Sequence, residues 1–263
     1  MKRTHTLPAI LAAVSVASIS AVSAAITITD SFHVRTENGG GTDGDPNTIE
    51  RVGNNDFSGT LASGWSLNGG NTIAVYFGGE GIVDGSFSAT FGGQALNVVS
   101  LGGVGNEHIS AVGYLINPTV STGDVAITSN RGTAAGNRQS FAFGILSLSN
   151  VGSVAGSDTR SGNGDLSYTI GSDGGFVMGG AVNNNFSGPA PTISGNPNTD
   201  LLAEDPDGNF SVRFAYGTAT SGAFTDSYSG SLAASTLAFT AIPEPSIALL
   251  GSLGLLALLR RRR

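Results

Sequence analysis

Two short acidic loops are the clearest candidates for chemistry in this 263-residue chain. Each alternates aspartate with other oxygen-bearing side chains, and calcium takes six to eight hard oxygen ligands. Neither completes an EF-hand, because the sixth and twelfth positions lack glycine and glutamate. We expect no resident cofactor; the alternative is calcium at these loops, whose residues are also ordinary turn formers. The candidate ligands are Asp43, Asp45 and Asn47 in one loop and Asp205, Asp207 and Asn209 in the other.

Motifs for catalysis are scarce. The sequence contains neither the G-x-S-x-G nucleophile elbow nor the H-E-x-x-H zinc motif. Glu107 and His108 could act as base and orienter, but a solvated loop before a strand is the simpler interpretation. The G-x-G-x-x-G match at residues 39–44 follows polar residues and opens no helix, which indicates a loop. We therefore predict that the protein is not an enzyme.

The composition narrows the class of protein further. With 40 glycines and no cysteine, the chain cannot form a disulfide scaffold, a CxxC redox motif or a cysteine zinc site. Without the two ends described below, the 12 basic residues fall to six, none of them lysine, and the 19 acidic residues to 18. The resulting formal charge of −12 argues against nucleic acid and anionic lipid surfaces as partners.

The N-terminus has the three parts of a secretory signal peptide. Lys2 and Arg3 precede an apolar stretch over residues 7–19, and small residues follow at 22–25. We predict a signal peptide over residues 1–25 that is cleaved after Ala24 or Ala25. A membrane anchor is the alternative, but the apolar stretch is too short for one.

The C-terminus combines three elements in a fixed order. Pro243, Glu244 and Pro245 precede an apolar stretch over residues 247–259, and the chain ends with Arg260, Arg261, Arg262 and Arg263. As a helix the stretch would span about 20 Å, short of the roughly 30 Å hydrocarbon core, and the arginines would stay on the cytoplasmic side. We expect transient contact with the inner membrane. A proline-rich linker before an ordinary helix is the alternative.

This tail resembles the PEP-CTERM sorting signal of Gram-negative bacteria, which also carries the label "ice-binding protein C-terminal". The resemblance implies that an exosortase, a membrane transpeptidase-like protease, reads the tail in cells that make exopolysaccharide. The label describes the tail and not an activity. A flat ice-binding face needs regularly repeated threonines, and only Thr27 and Thr29 repeat in that way.

The region between the ends alternates apolar and polar residues with a period of two and has no sustained helical periodicity. Turn residues separate about ten to twelve such stretches, and no repeat of 20–50 residues is visible. Since many short strands with one apolar face bury it by packing sheets together, we predict an all-β fold, a jelly-roll-like antiparallel β-sandwich of two sheets. The sets expected on one face are Ile26, Ile28, Phe32 and Val34; Phe87, Ala89 and Phe91; Val125 and Ile127; Phe141, Phe143 and Ile145; Phe210, Val212, Phe214 and Tyr216; and Leu237, Phe239 and Ala241.

Four motifs run through this region in order. They are F-G-G-Q-A-L at 91–96, G-Y-L-I-N-P at 113–118, G-D-V-A-I at 123–127 and L-S-L-S-N-V at 146–151. Their order is similar to that in a β-sandwich domain of secreted bacterial surface proteins, over residues 85–240. The resemblance implies an extracellular sandwich and brings no catalytic residues with it.

These observations predict a signal peptide over 1–25, a secreted β-sandwich domain over 26–241, and a sorting or anchor segment with a hydrophobic helix over 242–263. The predicted protein is exported across the inner membrane of a Gram-negative bacterium and sorted by an exosortase to the cell surface or extracellular matrix. There it has a non-catalytic structural or adhesive role in the exopolysaccharide layer. One alternative is a carbohydrate-binding module that uses Trp65, Tyr114 or Tyr228. The other is a glycoside hydrolase, which needs two carboxyl groups about 5–10 Å apart.

Overall fold

The computed structural model describes residues 24–37, 41–42, 51–52, 56–80, 87–104, 108–130, 141–171, 173–183, 191–197, 199–204, 211–229 and 233–243. All of them belong to one unit, Ser23–Pro243. The signal peptide before Ala24 and the sorting helix lie outside the described residues and stay predictions. Within the described ranges there is no helix long and apolar enough to cross a membrane.

The described residues form nineteen strands and no helix. Three of the strands have only two residues and lie at sheet edges. The strands are β1 (Thr27–Glu37), β2 (Gly41–Thr42), β3 (Arg51–Val52), β4 (Asp56–Ser66), β5 (Thr72–Glu80), β6 (Phe87–Phe91), β7 (Gln94–Ala95), β8 (Asn97–Val104), β9 (His108–Ile116), β10 (Thr122–Asn130), β11 (Phe141–Ser149), β12 (Val151–Ser161), β13 (Gly164–Ile170), β14 (Gly175–Asn183), β15 (Thr192–Ser194), β16 (Thr199–Glu204), β17 (Ser211–Ala219), β18 (Gly222–Ser229) and β19 (Ala233–Ala241).

These strands pair antiparallel in four sheets. Outer sheet 1 has the order β3-β4-β10-β6-β7, and inner sheet 1 has the order β2-β1-β11-β5-β9-β8. Inner sheet 2 has the order β12-β19-β14-β17-β16, and outer sheet 2 has the order β13-β18-β15. The all-β, antiparallel prediction is confirmed. The number of sheets is four and not the expected two.

Three apolar interfaces stack the sheets as layers. Between outer sheet 1 and inner sheet 1 the core includes Phe77, Phe91 and Phe143. Between the two inner sheets it includes Tyr76 and Phe239. Smaller clusters fill the space between inner sheet 2 and outer sheet 2; their members are Leu166, Tyr168, Ile170, Val177, Ala181, Ile193, Ala215, Ala219, Tyr228, Ala234 and Ala238.

The position of a strand in this stack explains its residue pattern. Strands of the outer sheets alternate buried and exposed residues, as in β6 and β13. Central strands of the inner sheets are buried on both faces, so β14 and β19 are almost wholly buried, whereas the edge strand β12 is mostly exposed. A strand that is covered on both faces has apolar residues on both and shows no alternation. The alternation in the sequence therefore could not predict how many sheets are stacked.

One predicted set of same-face residues is wrong. A β-bulge between Ile28 and Asp30 shifts the pairing of β1 with β11. Since a one-residue shift reverses the faces of a strand, Ile26 and Ile28 contact the core between the inner sheets, whereas Phe32 contacts the core against outer sheet 1.

The two halves of the chain repeat one strand order. The order β1-β11-β5-β9-β8 in inner sheet 1 matches β12-β19-β14-β17-β16 in inner sheet 2. The order β4-β10-β6 in outer sheet 1 likewise matches β13-β18-β15 in outer sheet 2. What repeats is the strand order, and one repeat unit spans about half the domain. It is therefore longer than the periods of 20–50 residues that mark repeat proteins in a sequence.

The strands of both halves share two poles. At the termini pole, Asn150 lies beside Ala25 and Ile242. At the far pole, β9 and β19 begin, and Ser110 of β9 bonds Ser235 of β19 across the inner sheets. The strand ends that flank residues 43–50 and 205–210 lie at the far pole.

Candidate functional site

Most residues singled out in the sequence fall outside the described part of the chain. This holds for both calcium loops, with Asp43, Asp45, Asn47, Asp205, Asp207 and Asn209, and for Glu107. It also holds for Glu244, Pro245 and Arg260, Arg261, Arg262 and Arg263, whereas Pro243 is the last described residue and is exposed. His108 is described and is only 1% exposed at the start of β9. Among the described residues, no three acidic or histidine side chains come together as a metal site.

The three aromatic candidates for sugar stacking differ in exposure. Tyr228 is 1% exposed and packs between inner sheet 2 and outer sheet 2, so it cannot stack against a sugar. Trp65 is half-buried against Phe32, and its indole N–H donates to the Ser147 hydroxyl at 2.8 Å. Tyr114 is half-buried and packs edge-on against Phe239. The structure therefore removes Tyr228 from the set of candidate sugar-binding residues.

Asn150 joins both ends of the domain at the termini pole. It adopts a positive φ of 61° between β11 and β12. Its Nδ2 donates to the Ala25 carbonyl at 3.0 Å, and its own carbonyl accepts from the Ile242 N–H at 2.9 Å. Asparagine tolerates this left-handed conformation better than most residues with a side chain. One residue thus bonds the chain where it enters the fold and where it leaves.

Asn71 connects the two halves of the chain at the termini pole. Its Nδ2 donates to the Val151 carbonyl at 2.8 Å, and its Oδ1 accepts from the Val151 N–H at 3.1 Å. Its backbone N–H donates to Leu148, and its carbonyl accepts from Asn117. The side chain therefore takes the place of a strand neighbour for the first residue of β12.

Substitution of Asn71 by alanine is expected to lower the free energy of unfolding by about 2 kcal/mol, because both polar groups of Val151 lose their side-chain partner. Asn71→Asp keeps the acceptor but places a carboxylate oxygen against the Val151 carbonyl, so we expect a loss at least as large as that of Asn71→Ala. Urea denaturation of the two variants measures both values. Equal stability of Asn71→Ala and the wild type would contradict the role assigned to this side chain.

A hydroxyl cluster lies between the inner sheets. The Tyr76 and Ser110 hydroxyls share a hydrogen bond at 3.0 Å, and Ser110 and Ser235 share another at 2.8 Å. Ser110 also donates to the Gly180 carbonyl at 3.3 Å. Burial raises the pKa of Tyr76, so this phenol stays neutral. The cluster satisfies buried polar groups across the interface and thereby favours one alignment of the two inner sheets.

A buried carboxyl group lies between inner sheet 2 and outer sheet 2. Asp226 is fully buried, and its Oδ1 accepts from the Tyr168 hydroxyl at 3.1 Å and the Asn196 N–H at 3.0 Å. Burial raises the pKa of Asp226, and these hydrogen bonds offset part of that rise. Oδ2 has no partner among the described residues. An unpaired buried charge is costly, so this site favours the protonated form more than water does.

Gly195 is required beside this acid. Its φ is +127°, a region that side chains rarely adopt, and a Cβ there would meet the Asp226 carboxyl group. Asn196 follows directly and donates through its side chain to the Tyr168 hydroxyl at 3.0 Å. The turn after β15 therefore encloses the acid together with Tyr168.

Every aspartate whose side chain is described accepts hydrogen bonds within the fold. At the termini pole, for example, Asp124 accepts from the Gly64 N–H at 2.8 Å and the Ser63 hydroxyl at 3.0 Å. These described carboxyl groups thus accept hydrogen bonds from turns and neighbouring strands, since carboxylates are good acceptors. The full set is Asp30, Asp124, Asp158, Asp165, Asp173, Asp200 and Asp226.

The hydrogen bond from Gly64, followed by that from Ser63, lowers the pKa of Asp124 below its ordinary 3.8. A lowered pKa contributes stability that is present above the unfolded value and is lost as the pH falls through the folded value. We therefore expect the melting temperature of the wild type to fall more steeply below pH 4 than that of Asp124→Asn. Because the group is exposed, the difference is expected to be small. Superimposable acid profiles would contradict this assignment.

The structural roles of Asp226 and Ser110 did not emerge from the sequence analysis, although the signal for Asp226 was present. It stands at an inward position of β18 between Phe224 and Tyr228, in a strand that alternates. Ser110 lies in a strand that is buried on both faces and therefore gives no alternation. Comparison with known proteins adds no family, since no family model, curated protein or solved structure matches the chain.

Proposed function

We propose that the chain is an exported protein, sorted by an exosortase to the cell surface or extracellular matrix, with a non-catalytic structural or adhesive role in the exopolysaccharide layer. The observation that carries the proposal is the termini pole. Asn150 bonds Ala25, where the predicted signal peptide ends, and Ile242, which begins the predicted sorting segment. A tail held at a membrane would then tether the domain through this pole.

The repeated strand order supports a finer description of the fold. In an eight-stranded jelly roll the first, eighth, third and sixth strands share one sheet, and the second, seventh and fourth lie in the other. Seven of the eight strands β12 to β19 follow this order, and so do seven of the eight longer strands of the first half. The fifth strand of each half, β16 or β8, lies beside the sixth strand in the inner sheet instead of beside the fourth in the outer sheet. We infer two jelly-roll sandwiches that pack through their inner sheets. Jelly rolls occur in capsid and lectin domains, an analogy of fold and not of ligand.

The use of the aspartates supports a non-catalytic role. A general acid or nucleophile must reach the substrate. Asp226 is fully buried, and Asp124 and Asp173 accept hydrogen bonds from backbone N–H groups of turns. Asp200 forms a two-pronged ion pair with Arg213, with both N–O distances at 2.7 Å. These carboxyl groups are committed to holding strands and turns together.

Localisation of the full chain tests the proposal. The wild type is expressed in a Gram-negative host that has an exosortase and makes exopolysaccharide, and the cells are fractionated. We expect the wild type outside the cell, and a Pro243→Ala/Glu244→Ala/Pro245→Ala variant in the inner-membrane fraction. Ser246→Ala, next to the motif, is the matched control. An identical distribution of wild type and triple variant would count against sorting through this tail.

The adhesive role has a test of its own. The exported protein is sedimented with the exopolysaccharide of the same cells, with calcium and with chelator. Saturable co-sedimentation supports an adhesive role, and loss on chelation would point to the Asp43 or Asp205 loops. Protein that stays in the supernatant under both conditions would contradict adhesion and leave the structural role.

A further inference from the structure

The sequence allows the signal peptide to be cleaved after either of two residues. The contacts of these two residues at the termini pole are different. Cleavage after Ala24 places Val22 and Ala24 at the third and first positions before the bond, whereas cleavage after Ala25 places Ser23 and Ala25 there. A signal peptidase requires small residues at these positions, and both choices satisfy it. The folded domain, in contrast, treats the two bonds differently.

Ala25 is already part of the folded structure. Its carbonyl accepts from Asn150 Nδ2 at 3.0 Å, while its side chain is exposed. Ile26 is held more firmly, since its N–H donates to the Gly174 carbonyl at 3.0 Å and its side chain is 2% exposed in the core between the inner sheets. No bond from Ala24 to the domain is present among these contacts.

We infer that the bond cleaved is Ala24–Ala25 and that Ala25 is the first residue of the mature protein; this inference rests on the proposed export. Hydrolysis adds water across this bond and leaves a carboxylate on Ala24 and an ammonium group on Ala25. The new charge lies on an exposed residue, where water solvates it. Both hydrogen bonds of the entry segment, Ala25 with Asn150 and Ile26 with Gly174, are kept.

Cleavage one residue later would damage the same region. The Ala25 carbonyl would leave with the signal peptide, and Asn150 Nδ2 would lose its acceptor. The ammonium group would then lie on Ile26, whose nitrogen bonds the Gly174 carbonyl and whose side chain is buried. The mature protein would then have fewer hydrogen bonds at the termini pole, which also includes Ile242.

The first test is the N-terminus of the exported wild type, measured by intact mass and N-terminal sequencing after expression of the full chain in a Gram-negative host. We expect Ala25. A protein that begins at Ile26 would overturn the inference and leave the proposed export intact. An uncleaved chain with Met1, retained inside the cell, would overturn both.

Two leucine variants form a matched pair. In Ala25→Leu the residue before the expected bond is unchanged, so we expect the same cleavage and a melting temperature within about 1 °C of the wild type. In Ala24→Leu the expected bond is blocked and cleavage moves to the next one. That protein begins at Ile26, and we expect its melting temperature to fall by about 2–4 °C. Blocked or displaced cleavage in Ala25→Leu would overturn the inference.

Asn150→Gly tests the bond that distinguishes the two products. Glycine accepts the positive φ of this position and removes only the side-chain donor. We expect it to lower the melting temperature of the protein that begins at Ala25 by about 2–4 °C and to have no further effect on the Ala24→Leu product. Asn117→Gly, at another left-handed asparagine, is the control and should affect both products equally. Equal effects of Asn150→Gly on both products would overturn the inference.

Discussion

Substitution of Gly180 by alanine is expected to lower the free energy of unfolding by about 3 kcal/mol, the upper range for overpacking a close-packed core. Gly180 lies in β14 at the interface of the inner sheets. A Cβ at this position would overlap the ring of Tyr76, which comes from β5 of the other inner sheet. The change is one methyl group, but it is inserted where the two halves of the molecule are in contact.

The Tyr76 ring cannot move aside. It is buried, its centroid lies 3.7 Å from that of Phe214, and its hydroxyl is bonded to Ser110. The methyl group would therefore force the inner sheets apart and also weaken the bond from Ser110 to the Gly180 carbonyl. Because close-packed protein interiors transmit strain, we expect the substitution to lower the stability of the whole domain.

Thermal melting measures the effect, and a fall of about 6–12 °C is expected. Gly171→Ala is the matched control, because a Cβ there meets no atom within 4 Å. Tyr76→Leu in the Gly180→Ala background removes the ring and should restore part of the loss. A melting temperature of Gly180→Ala equal to that of Gly171→Ala would show that the inner sheets do not pack as described.

Substitution of Asp226 has the second largest expected effect, and its size depends on pH. Asp226→Ala leaves the Tyr168 hydroxyl and the Asn196 N–H without their acceptor, which costs about 2–3 kcal/mol for buried donors. This loss is expected in full at acid pH, where the wild-type carboxyl is protonated. The groups that face it are neutral hydroxyls, Tyr168 on β13 and Tyr228 on β18, so no cation offsets its charge when it ionises.

The sign of the pH dependence follows from the raised pKa. A carboxyl group whose folded pKa lies above its unfolded value contributes stability that is present below pH 3.8 and is lost as the pH rises through the folded pKa. The wild type therefore loses this contribution on the way to neutral pH, and Asp226→Asn does not. The deficit of Asp226→Ala relative to the wild type should accordingly narrow as the pH rises.

Melting temperatures from pH 3 to pH 8 for the wild type, Asp226→Asn and Asp226→Ala provide the measurement. Ser227→Ala, the outward-facing neighbour on β18, is the control and should follow the wild-type profile. A constant difference between the wild type and Asp226→Asn across this range would contradict a raised pKa for this buried carboxyl group.

The sequence predicted the β-structure and many of its inward-facing residues. Phe87, Ala89 and Phe91 alternate with polar residues and face the core as expected. Val212 and Phe214 also share a core, as do Leu237, Phe239 and Ala241. These predictions succeed because the faces of a strand are determined by its own residues, with a period of two.

The tertiary structure alone determined what covers each face. The sequence could not show that Gly180 meets Tyr76, that Asn150 joins Ala25 to Ile242, or that a bulge after Ile28 sends Phe32 to the opposite core. Each of these contacts joins residues that are distant in the chain or depends on a shift in strand pairing. Local alternation shows which side of a strand is apolar, whereas the number of layers and the partners across them depend on packing between distant segments.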